Sequence, residues 1–184
     1  MVTGSSGGID VEDEAALVAR ARERDQVAFE QLVAAYRQRT WSVCYQICGN
    51  PQDAEDALQD ALVSAWQHLG RFRGEARFGT WLHRIAANAA LGVVRRRRDV
   101  LVEDLETLGS PPLAAFDAYD QVLEADRIEA ALRHVPIDFR VALVLREYGD
   151  LTYEEIGRHQ GVPVQTVKSR INRARTALRE QLGA

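Results

Sequence analysis

Apolar residues recur at three- and four-residue spacing along almost the whole 184-residue chain, and this pattern limits the possible folds more than any other feature. Such spacing places the apolar side chains on one face of an α-helix. The segment DQVAFEQLVAAYRQRTWSVCYQI shows it at Phe29, Leu32, Val33, Tyr36, Val43 and Ile47. The segment NPQDAEDALQDALVSAWQHL shows it at Ala54, Leu58, Ala61, Leu62, Ala65 and Leu69. No strand pattern of any length is present, so the sequence predicts an all-α fold.

Residues typical of helix starts precede these segments. Asp25 is a candidate N-cap for the first, and Asn50 followed by Pro51 is a strong start signal for the second. Near the end of the chain, Thr152 and Glu155 have the spacing of a capping box. The segment GTWLHRIAANAALGVVRRRR predicts a further helix, separated from the preceding one by a short irregular loop that contains three glycines.

A break in the helical pattern divides the chain into two small helical domains. Residues 99–122 contain six carboxylates and no Lys or Arg, and the run GSPP within them cannot continue a helix. We therefore predict a disordered tail over residues 1–11, an N-terminal domain over residues 12–98, an acidic flexible linker over residues 99–122 and a C-terminal domain over residues 123–184.

Composition and charge exclude several classes of protein. The chain is 46% hydrophobic and 27% charged, with a net charge of −4, which is typical of a soluble globular protein. It has no apolar window long enough to span a membrane and no signal-like start, so we expect a cytoplasmic protein. Cys44 and Cys48 share a helix face, but two ligands without a nearby His do not make a zinc site. The sequence favours two buried thiols, and it predicts no metal and no cofactor.

The last predicted helix carries a concentration of positive charge in an otherwise acidic protein. The segment GVPVQTVKSRINRARTALR has five cationic residues and no carboxylate. Gly161 and Pro163 separate it from the helix that Thr152 begins, and two short helices joined by such a turn form a helix-turn-helix. Its polar face suits base edges and phosphates in a major groove. The alternative is an exposed cationic helix of a bundle without a ligand.

Two further patches lie in the predicted N-terminal domain. One is the acidic face Asp53, Glu55, Asp56, Gln59 and Asp60, which is either a solvated face or a docking surface for a cationic partner. The other combines aromatic and cationic residues: Phe72, Arg73, Arg77, Phe78, Trp81, Arg84, Asn88 and Arg95–Arg98. Aromatic rings beside arginines suit unstacked single-stranded bases. The alternative for Phe72, Phe78 and Trp81 is that they close the hydrophobic core.

Three ordered segments, DAEDALQDALVSAW, RFRGEARFGTWLHRIAANAAL and LTYEEIGRHQGVPVQTVKSRINRARTALR, resemble the bacterial extracytoplasmic-function (ECF) sigma factors, the two-domain members of the sigma family. The likeness extends over nearly the whole chain from about Glu14. It implies a non-enzymatic protein that directs RNA polymerase core to specific promoters and initiates transcription by DNA binding and strand opening. The implied partners are core polymerase, promoter DNA and an anti-sigma factor, with no membrane partner.

The resemblance also assigns roles to residues. The core-docking face, on the clamp helices of the largest polymerase subunit, would be Asp53, Asp56, Gln59 and Asp60. The surface for the minus-ten element would be Phe72, Arg73, Gly74, Phe78, Trp81, Arg84, Asn88, Arg95 and Arg96, with residues 72–78 capturing a flipped base. The surface for the minus-thirty-five element would be Gln165, Thr166, Lys168, Ser169, Arg170, Asn172 and Arg173. The acidic linker would thread the positively charged channel of the polymerase.

One position departs from the family pattern. Family members usually have Asp or Asn where this chain has Gly92, so the preference at the minus-ten element does not follow from the resemblance. Two other functions fit parts of the sequence. A stand-alone regulator would bind duplex DNA as a dimer, without polymerase. A metal-dependent nuclease would use Asp53, Asp56 and Asp60.

Overall fold

A computed structural model describes residues 11–108 and 124–183 of the chain, with side chains for residues 12–98 and 127–183. The described part is helical and contains no strand. The helices are α1 (Val11–Arg22), α2 (Gln26–Cys48), α3 (Pro51–His68), α4 (Phe78–Leu108), α5 (Glu124–His134), α6 (Ile137–Glu147), α7 (Tyr153–Gln160) and α8 (Val164–Leu182), with a single 3₁₀ turn at Leu69–Arg71. The predicted all-α fold is confirmed.

The predicted helix starts are also confirmed. The Asp25 carboxylate accepts a hydrogen bond from the Ala28 amide at 3.1 Å, and the Asn50 side chain accepts one from the Asp53 amide at 2.9 Å. Thr152 and Glu155 form the reciprocal capping box, with distances of 3.2 and 2.8 Å. Each of these bonds satisfies an amide that has no partner inside its own helix.

Helix α4 is longer than the sequence indicated. It continues to Leu108, past the boundary predicted after Arg98, because residues 99–108 contain no Gly or Pro and are rich in Leu and Glu. The remainder of the predicted linker, residues 109–122, lies outside the described residues, as do residues 1–10 of the predicted tail. Helix α1 was not among the predicted helices, and its first residue, Val11, is the last residue of the predicted tail.

Helices α1 to α4 form the N-terminal unit. Its first core cluster packs α1, α2, α3 and the start of α4 around Phe29, Leu32, Leu69, Phe72 and Phe78. The burial of Ala54, Ala57, Ala61 and Ala65 brings α3 close to α2 and α4, because small side chains let helix axes approach. This unit holds the loop at residues 72–77 on one side of the bundle.

Helices α5 to α8 form the C-terminal unit, in which α8 packs on α5, α6 and α7. Val167, Ile171 and Ala174 are buried on the inner face of α8, as the spacing predicted. Gly161 ends α7 with a φ of +66°, which is the left-handed conformation that glycine adopts without a steric cost. The turn from α7 to α8 is therefore the predicted helix-turn-helix connection.

The two units are packed against each other. A second core cluster joins residues of α2, α3 and α4, such as Ile47 and Ala90, to residues of the C-terminal unit, such as Val141 and Leu145. Polar contacts reinforce this interface: the Arg140 guanidinium donates to the Ile47 carbonyl at 2.9 Å, and the Tyr45 hydroxyl donates to the Glu129 carboxylate at 2.6 Å. The sequence indicated two domains but gave no sign of this contact.

Cys44 and Cys48 lie inside the shared cluster. Burial raises the pKa of each thiol to about 12. Both side chains are therefore neutral thiols at physiological pH, which makes them poor nucleophiles. The prediction of two buried thiols is confirmed.

Candidate nucleic-acid interface

The loop between the 3₁₀ turn and α4 is the first feature of the candidate site. It begins at Phe72, whose amide donates to the Leu69 carbonyl at 3.0 Å, and ends where Phe78 begins α4. Gly74 has a φ of +72°, and a Cβ built on it would have no atom within 4 Å. Arg73 and Glu75 beside it are strongly exposed. The loop tip therefore projects into solvent while both of its ends are fixed.

Three aromatic rings join this loop to α4. The Phe72 and Trp81 ring centroids are 5.0 Å apart, those of Phe78 and Trp81 are 5.6 Å apart, and the Phe72 and Phe78 rings meet edge to face at 6.1 Å. Phe78 is fully buried and Phe72 is 6% exposed, whereas Trp81 is half-buried. Phe72 and Phe78 thus serve the core, and Trp81 is the ring with the most accessible surface.

A cleft of about 310 Å³ opens beside these rings. Its lining includes five residues predicted from the sequence: Phe72, Arg73, Trp81, Arg84 and Asn88. Arg71, Glu75, Ala76 and Ile85 complete it. The cleft combines aromatic surface, guanidinium groups and an amide, which is the chemistry that holds an unstacked base and its phosphate. Its volume is at the lower end of the range for ligand pockets.

The arginines at the end of this surface have other neighbours. Arg96 lies 3.3 Å from the Asp60 carboxylate and Arg97 lies 3.1 Å from that of Asp53. Asp53 also accepts a hydrogen bond from the Asn50 side chain at 2.7 Å. The predicted docking carboxylates are therefore adjacent to the arginine run of α4, and two such pairs neutralise each other in this conformation: Arg96, a predicted strand-binding residue, with Asp60, and its neighbour Arg97 with Asp53.

Asp56 and Gln59 are exposed on α3, together with Asp60. Within the part of the chain that the structure describes, no group of three His, Cys, Asp or Glu side chains is arranged to hold a metal ion. The predicted docking face is thus paired with arginines of α4 at Asp53 and Asp60, and it is exposed at Asp56 and Gln59.

The outer face of α8 presents Gln165, Lys168, Ser169, Asn172 and Arg173 to solvent, and Thr166 is half-buried. These polar side chains lie on one face of the second helix of the helix-turn-helix, opposite Val167 and Ile171. Lys168 also lies 5.8 Å from the Tyr153 ring, an arrangement that allows a cation–π contact. Six of the seven predicted residues thus border an accessible cationic surface.

Arg170 is the seventh, and its surroundings differ. Its guanidinium donates to the Gln160 side chain at 2.8 Å and lies 3.6 Å from the Asp138 carboxylate. Its side chain is only 20% exposed, compared with 61% for Asp138. In this conformation Arg170 connects α8 to α6 and α7.

A second cleft, of about 380 Å³, runs between the two units. Asn88, Leu91 and Arg95 of α4 form one wall, and Asp138, Gln160 and Arg170 of the C-terminal unit form the other. His159 also lines it, and burial, with a smaller effect of nearby Arg84, lowers the pKa of its imidazole. Residues predicted to bind the two promoter elements thus face each other across this cleft.

Sequence reasoning missed several residues that shape the candidate site. Arg71 and Glu75 lie beside predicted residues in the chain, so their proximity to the cleft could have been inferred. The role of Glu14 could not have been inferred, because Glu14 lies on a helix far away in sequence. Its carboxylate nevertheless accepts a hydrogen bond from the Phe78 amide at 3.0 Å.

Among the described residues, no helix is long and apolar enough to cross a membrane.

Two family models match this chain, one over the N-terminal unit and one over the C-terminal unit. The family model "Sigma-70 region 2" matches residues 32–100, which include the carboxylate face, the loop and the cleft. The model "Sigma-70, region 4" matches residues 125–178, which include the helix-turn-helix. The two matched regions therefore carry the two predicted DNA surfaces.

Similar proteins cover nearly the whole chain. The RNA polymerase sigma-H factor of Pseudomonas aeruginosa is 38% identical over an alignment of 182 positions, and the match covers 93% of this chain and 94% of that protein. The ECF RNA polymerase sigma factor SigW of Bacillus subtilis is 32% identical over an alignment of 176 positions, and the match covers 90% of this chain and 94% of that protein.

Two solved structures have a similar arrangement of helices. CnrH, in complex with the cytosolic domain of CnrY, has a TM-score of 0.68 and 26% identity, and the match covers 93% of this chain and 97% of CnrH. The sigma factor RpoE of Bartonella quintana, in complex with the anti-sigma factor NepR, has a TM-score of 0.69 and 26% identity, with coverage of 85% and 97%. With an aromatic cleft in region 2, a cationic helix-turn-helix in region 4 and relatives that match over nearly their full lengths, this chain belongs to the ECF sigma factors, non-enzymatic proteins that recognise promoters and initiate transcription with RNA polymerase.

Proposed function

We propose a division of labour between three surfaces of this sigma factor. The exposed carboxylate and amide face of α3 docks on the clamp helices of the largest polymerase subunit. The cleft beside Trp81 takes a base from the opened minus-ten element. The outer face of α8 reads the minus-thirty-five element as duplex. The observation that carries this proposal is the cleft, because it places two aromatic rings, three arginines and Asn88 around a space suited to a base.

In this proposal, the free energy of binding an unpaired base opens the promoter duplex. A base that leaves the duplex loses its stacking and pairing, at a cost of a few kcal/mol. Stacking on Trp81 and contacts of Arg73 and Arg84 with the strand return free energy of the same order, roughly 1–3 kcal/mol for each stacked base. Strand opening therefore requires no ATP hydrolysis, and the non-template strand remains bound along α4.

Docking on the polymerase rests on charge and exposure. Asp56, Gln59 and Asp60 face solvent on consecutive turns of α3, and Asp53 lies on the same helix. Carboxylates at this spacing steer and orient a cationic partner. Core polymerase works in the cytoplasm, and we place this protein there.

We also propose that an anti-sigma factor regulates this protein. The Bartonella RpoE was solved with the anti-sigma factor NepR, and CnrH was solved with the cytosolic domain of CnrY; both match this chain over most of its length. The anti-sigma factor would hold the two units in a state that polymerase does not accept.

The test is transcription in vitro from a genomic library, with core polymerase and this protein, followed by mapping of the start sites. The proposal predicts new start sites that share sequence elements upstream.

A gel shift on duplex DNA without polymerase tests the stand-alone regulator, which requires tight and specific binding by the isolated protein. If Mg²⁺-dependent cleavage appeared and were lost in Asp56→Ala, the nuclease would be supported instead.

A further inference from the structure

Glu14, on the buried side of α1, holds together three separate elements of the N-terminal unit. One carboxylate oxygen, Oε1, accepts a hydrogen bond from the Phe78 amide at 3.0 Å, at the first residue of α4. The other, Oε2, accepts one from the Tyr36 hydroxyl in the middle of α2. The residue is 9% exposed, whereas Glu12 and Asp13 on the same helix are exposed.

The carboxylate compensates for a cap that the local sequence does not supply. The Arg77 carbonyl accepts from the Trp81 amide at 3.1 Å, so Arg77 occupies the N-cap position of α4. An arginine side chain has only donors and cannot accept a hydrogen bond from the free amides of the first turn. Glu14 provides the missing acceptor from another helix, and its negative charge is favourable at a helix N-terminus.

Tyr36 fixes the same turn from the other side. A Cβ placed on Gly79 would lie 2.5 Å from the Tyr36 ring, so the ring lies directly against the backbone of α4 at its second residue. Burial, together with the hydrogen bond to Glu14, raises the pKa of the Tyr36 hydroxyl to about 12, and the hydroxyl therefore remains a donor. The first turn of α4 is held by a hydrogen bond at Phe78 and by ring contact at Gly79.

This turn is connected to the wall of the cleft. The Phe78 ring touches the rings of both Phe72 and Trp81, and these two line the cleft of about 310 Å³. A displacement of Phe78 would therefore move the two rings that border the cleft. Glu14 itself is not among the lining residues.

We propose that Glu14 is a positioning residue for strand opening: through Phe78 and Tyr36 it sets the place of the aromatic wall against which the captured base lies. This inference rests on the proposed role of the cleft. Glu14 touches neither DNA nor polymerase in this scheme, so its effect is confined to the minus-ten element and spares the minus-thirty-five element.

The experiment compares Glu14→Ala, Glu14→Gln and Tyr36→Phe with the matched control Glu12→Ala, which removes an exposed carboxylate from the same helix. Each variant is assembled with core polymerase. The probe is the non-template single strand of a promoter that the wild-type holoenzyme opens, compared with the same strand made abasic at the captured position. Affinity for core and affinity for the upstream duplex element are measured in parallel, together with thermal stability.

For Glu14→Ala we expect affinity for the intact strand to fall about tenfold, the loss expected when one base lacks its stacking partner. Affinity for the abasic strand, for core and for the upstream duplex should remain within about twofold of wild type. Glu14→Gln should recover most of the loss, because its amide oxygen still accepts from Phe78. Glu12→Ala should match wild type throughout.

Two results would overturn the proposal. One is equal behaviour of Glu14→Ala and Glu12→Ala on the intact strand. The other is a parallel loss of core binding, upstream binding and strand binding, which indicates a purely structural residue. If Glu14→Ala is too unstable to assay, Tyr36→Phe carries the test, and unchanged discrimination between the intact and abasic strands then contradicts the proposal. A wild-type protein that opens no promoter would instead contradict the proposed function.

Discussion

The His83 imidazole lies 3.0 Å from the carbonyl oxygen of Gly149, and this contact joins α4 of the N-terminal unit to the turn that follows α6. His83 is 2% exposed, and its Nε2 has no hydrogen-bond partner. A neutral imidazole with hydrogen on Nδ1 donates to the carbonyl and leaves Nε2 as an acceptor. The interface between the units therefore contains a buried imidazole that is neutral at neutral pH and becomes charged only as the pH falls.

This burial makes the stability of the packed protein depend on pH. Burial lowers the pKa of His83 below its ordinary value of about 6.5, and the positive charge of Arg39 lowers it further. The hydrogen bond to the Gly149 carbonyl and the negative charge of Asp150 raise the pKa, but burial has the larger effect. The unfolded chain therefore binds the proton first as the pH falls. With respect to His83, the free energy of unfolding therefore has its full value above about pH 6.5, the pKa of an unperturbed histidine, and it decreases as the pH falls below that value. Urea unfolding at a series of pH values measures this decrease.

Substitution separates His83 from the other histidines. We expect His83→Gln to reduce the pH dependence, because glutamine can still donate to Gly149 and does not titrate. His68→Gln is the control, since His68 is exposed. His159, whose pKa is also lowered, contributes to the dependence that remains in His83→Gln, and Asp25, whose pKa is lowered by the hydrogen bond from the Ala28 amide, contributes at lower pH. An unchanged slope in His83→Gln would show that this histidine is not responsible.

Two glycines of α4 should respond in opposite directions to alanine. A Cβ at Gly92 would meet only the Arg96 side chain, at 3.5 Å, so Gly92→Ala should stabilise the protein by about 1 kcal/mol through helix propensity. At Gly79 the Cβ would overlap the Tyr36 ring, and Gly79→Ala should destabilise by about 1–3 kcal/mol. Thermal or urea unfolding distinguishes the two, and stabilisation by both would contradict the close packing at Gly79.

Arg173 and Arg170 offer a matched pair on α8. Arg173 is exposed, and on the proposed assignment Arg173→Ala weakens binding to the minus-thirty-five element by about 1–3 kcal/mol if the guanidinium reads a guanine. Arg170 is held by Gln160 and Asp138, so Arg170→Ala should lower stability more than it changes base preference. Binding of holoenzyme to matched and mutated elements, at several salt concentrations, measures both. A uniform loss on all sequences would identify Arg173 as a phosphate contact.

The docking face can be tested by charge reversal. Replacement of Asp56 and Asp60 by Lys should abolish association with core polymerase and leave the helical content unchanged, because the Asp56 and Asp60 side chains are exposed. The double change of Glu12 and Asp13 to Lys alters the net charge by the same amount on α1 and should leave association intact. Pull-down with core, together with circular dichroism, decides the result. Association that persists in the Asp56/Asp60 variant would remove the docking assignment.

The elements that sequence predicted well depend on neighbours along the chain. Asn50 caps the amide of Asp53, and Thr152 caps that of Glu155. Each helix start is therefore formed by residues three positions apart, so the local pattern contains all the necessary information. The aromatic and cationic patch could be recognised for the same reason, since the residues that line the cleft all lie within residues 71–88. The roles proposed for these residues came from the resemblance to the ECF sigma factors.

The parts that could not be predicted depend on residues distant in sequence. Glu14 and Phe78 are 64 positions apart, and His83 and Gly149 are 66 apart, so no local period reveals either contact. The sequence does not distinguish Phe78 from Trp81, since both are aromatic residues near the start of α4. Only Phe78 is fully buried, because its ring packs against that of Tyr36. Packing between helices decided each of these cases.

The cleft between the units has a consequence for promoter affinity. Asn88 and Arg170 line the same cleft, whereas elements centred near minus ten and minus thirty-five are separated by roughly 25 base pairs, or about 85 Å of duplex. On the proposed assignment, a protein that spans both elements must first be drawn apart. The apparent dissociation constant then equals the intrinsic one divided by the fraction of molecules already extended. Every contact that holds α6 against α2 therefore sets how much protein a cell needs before its promoters respond.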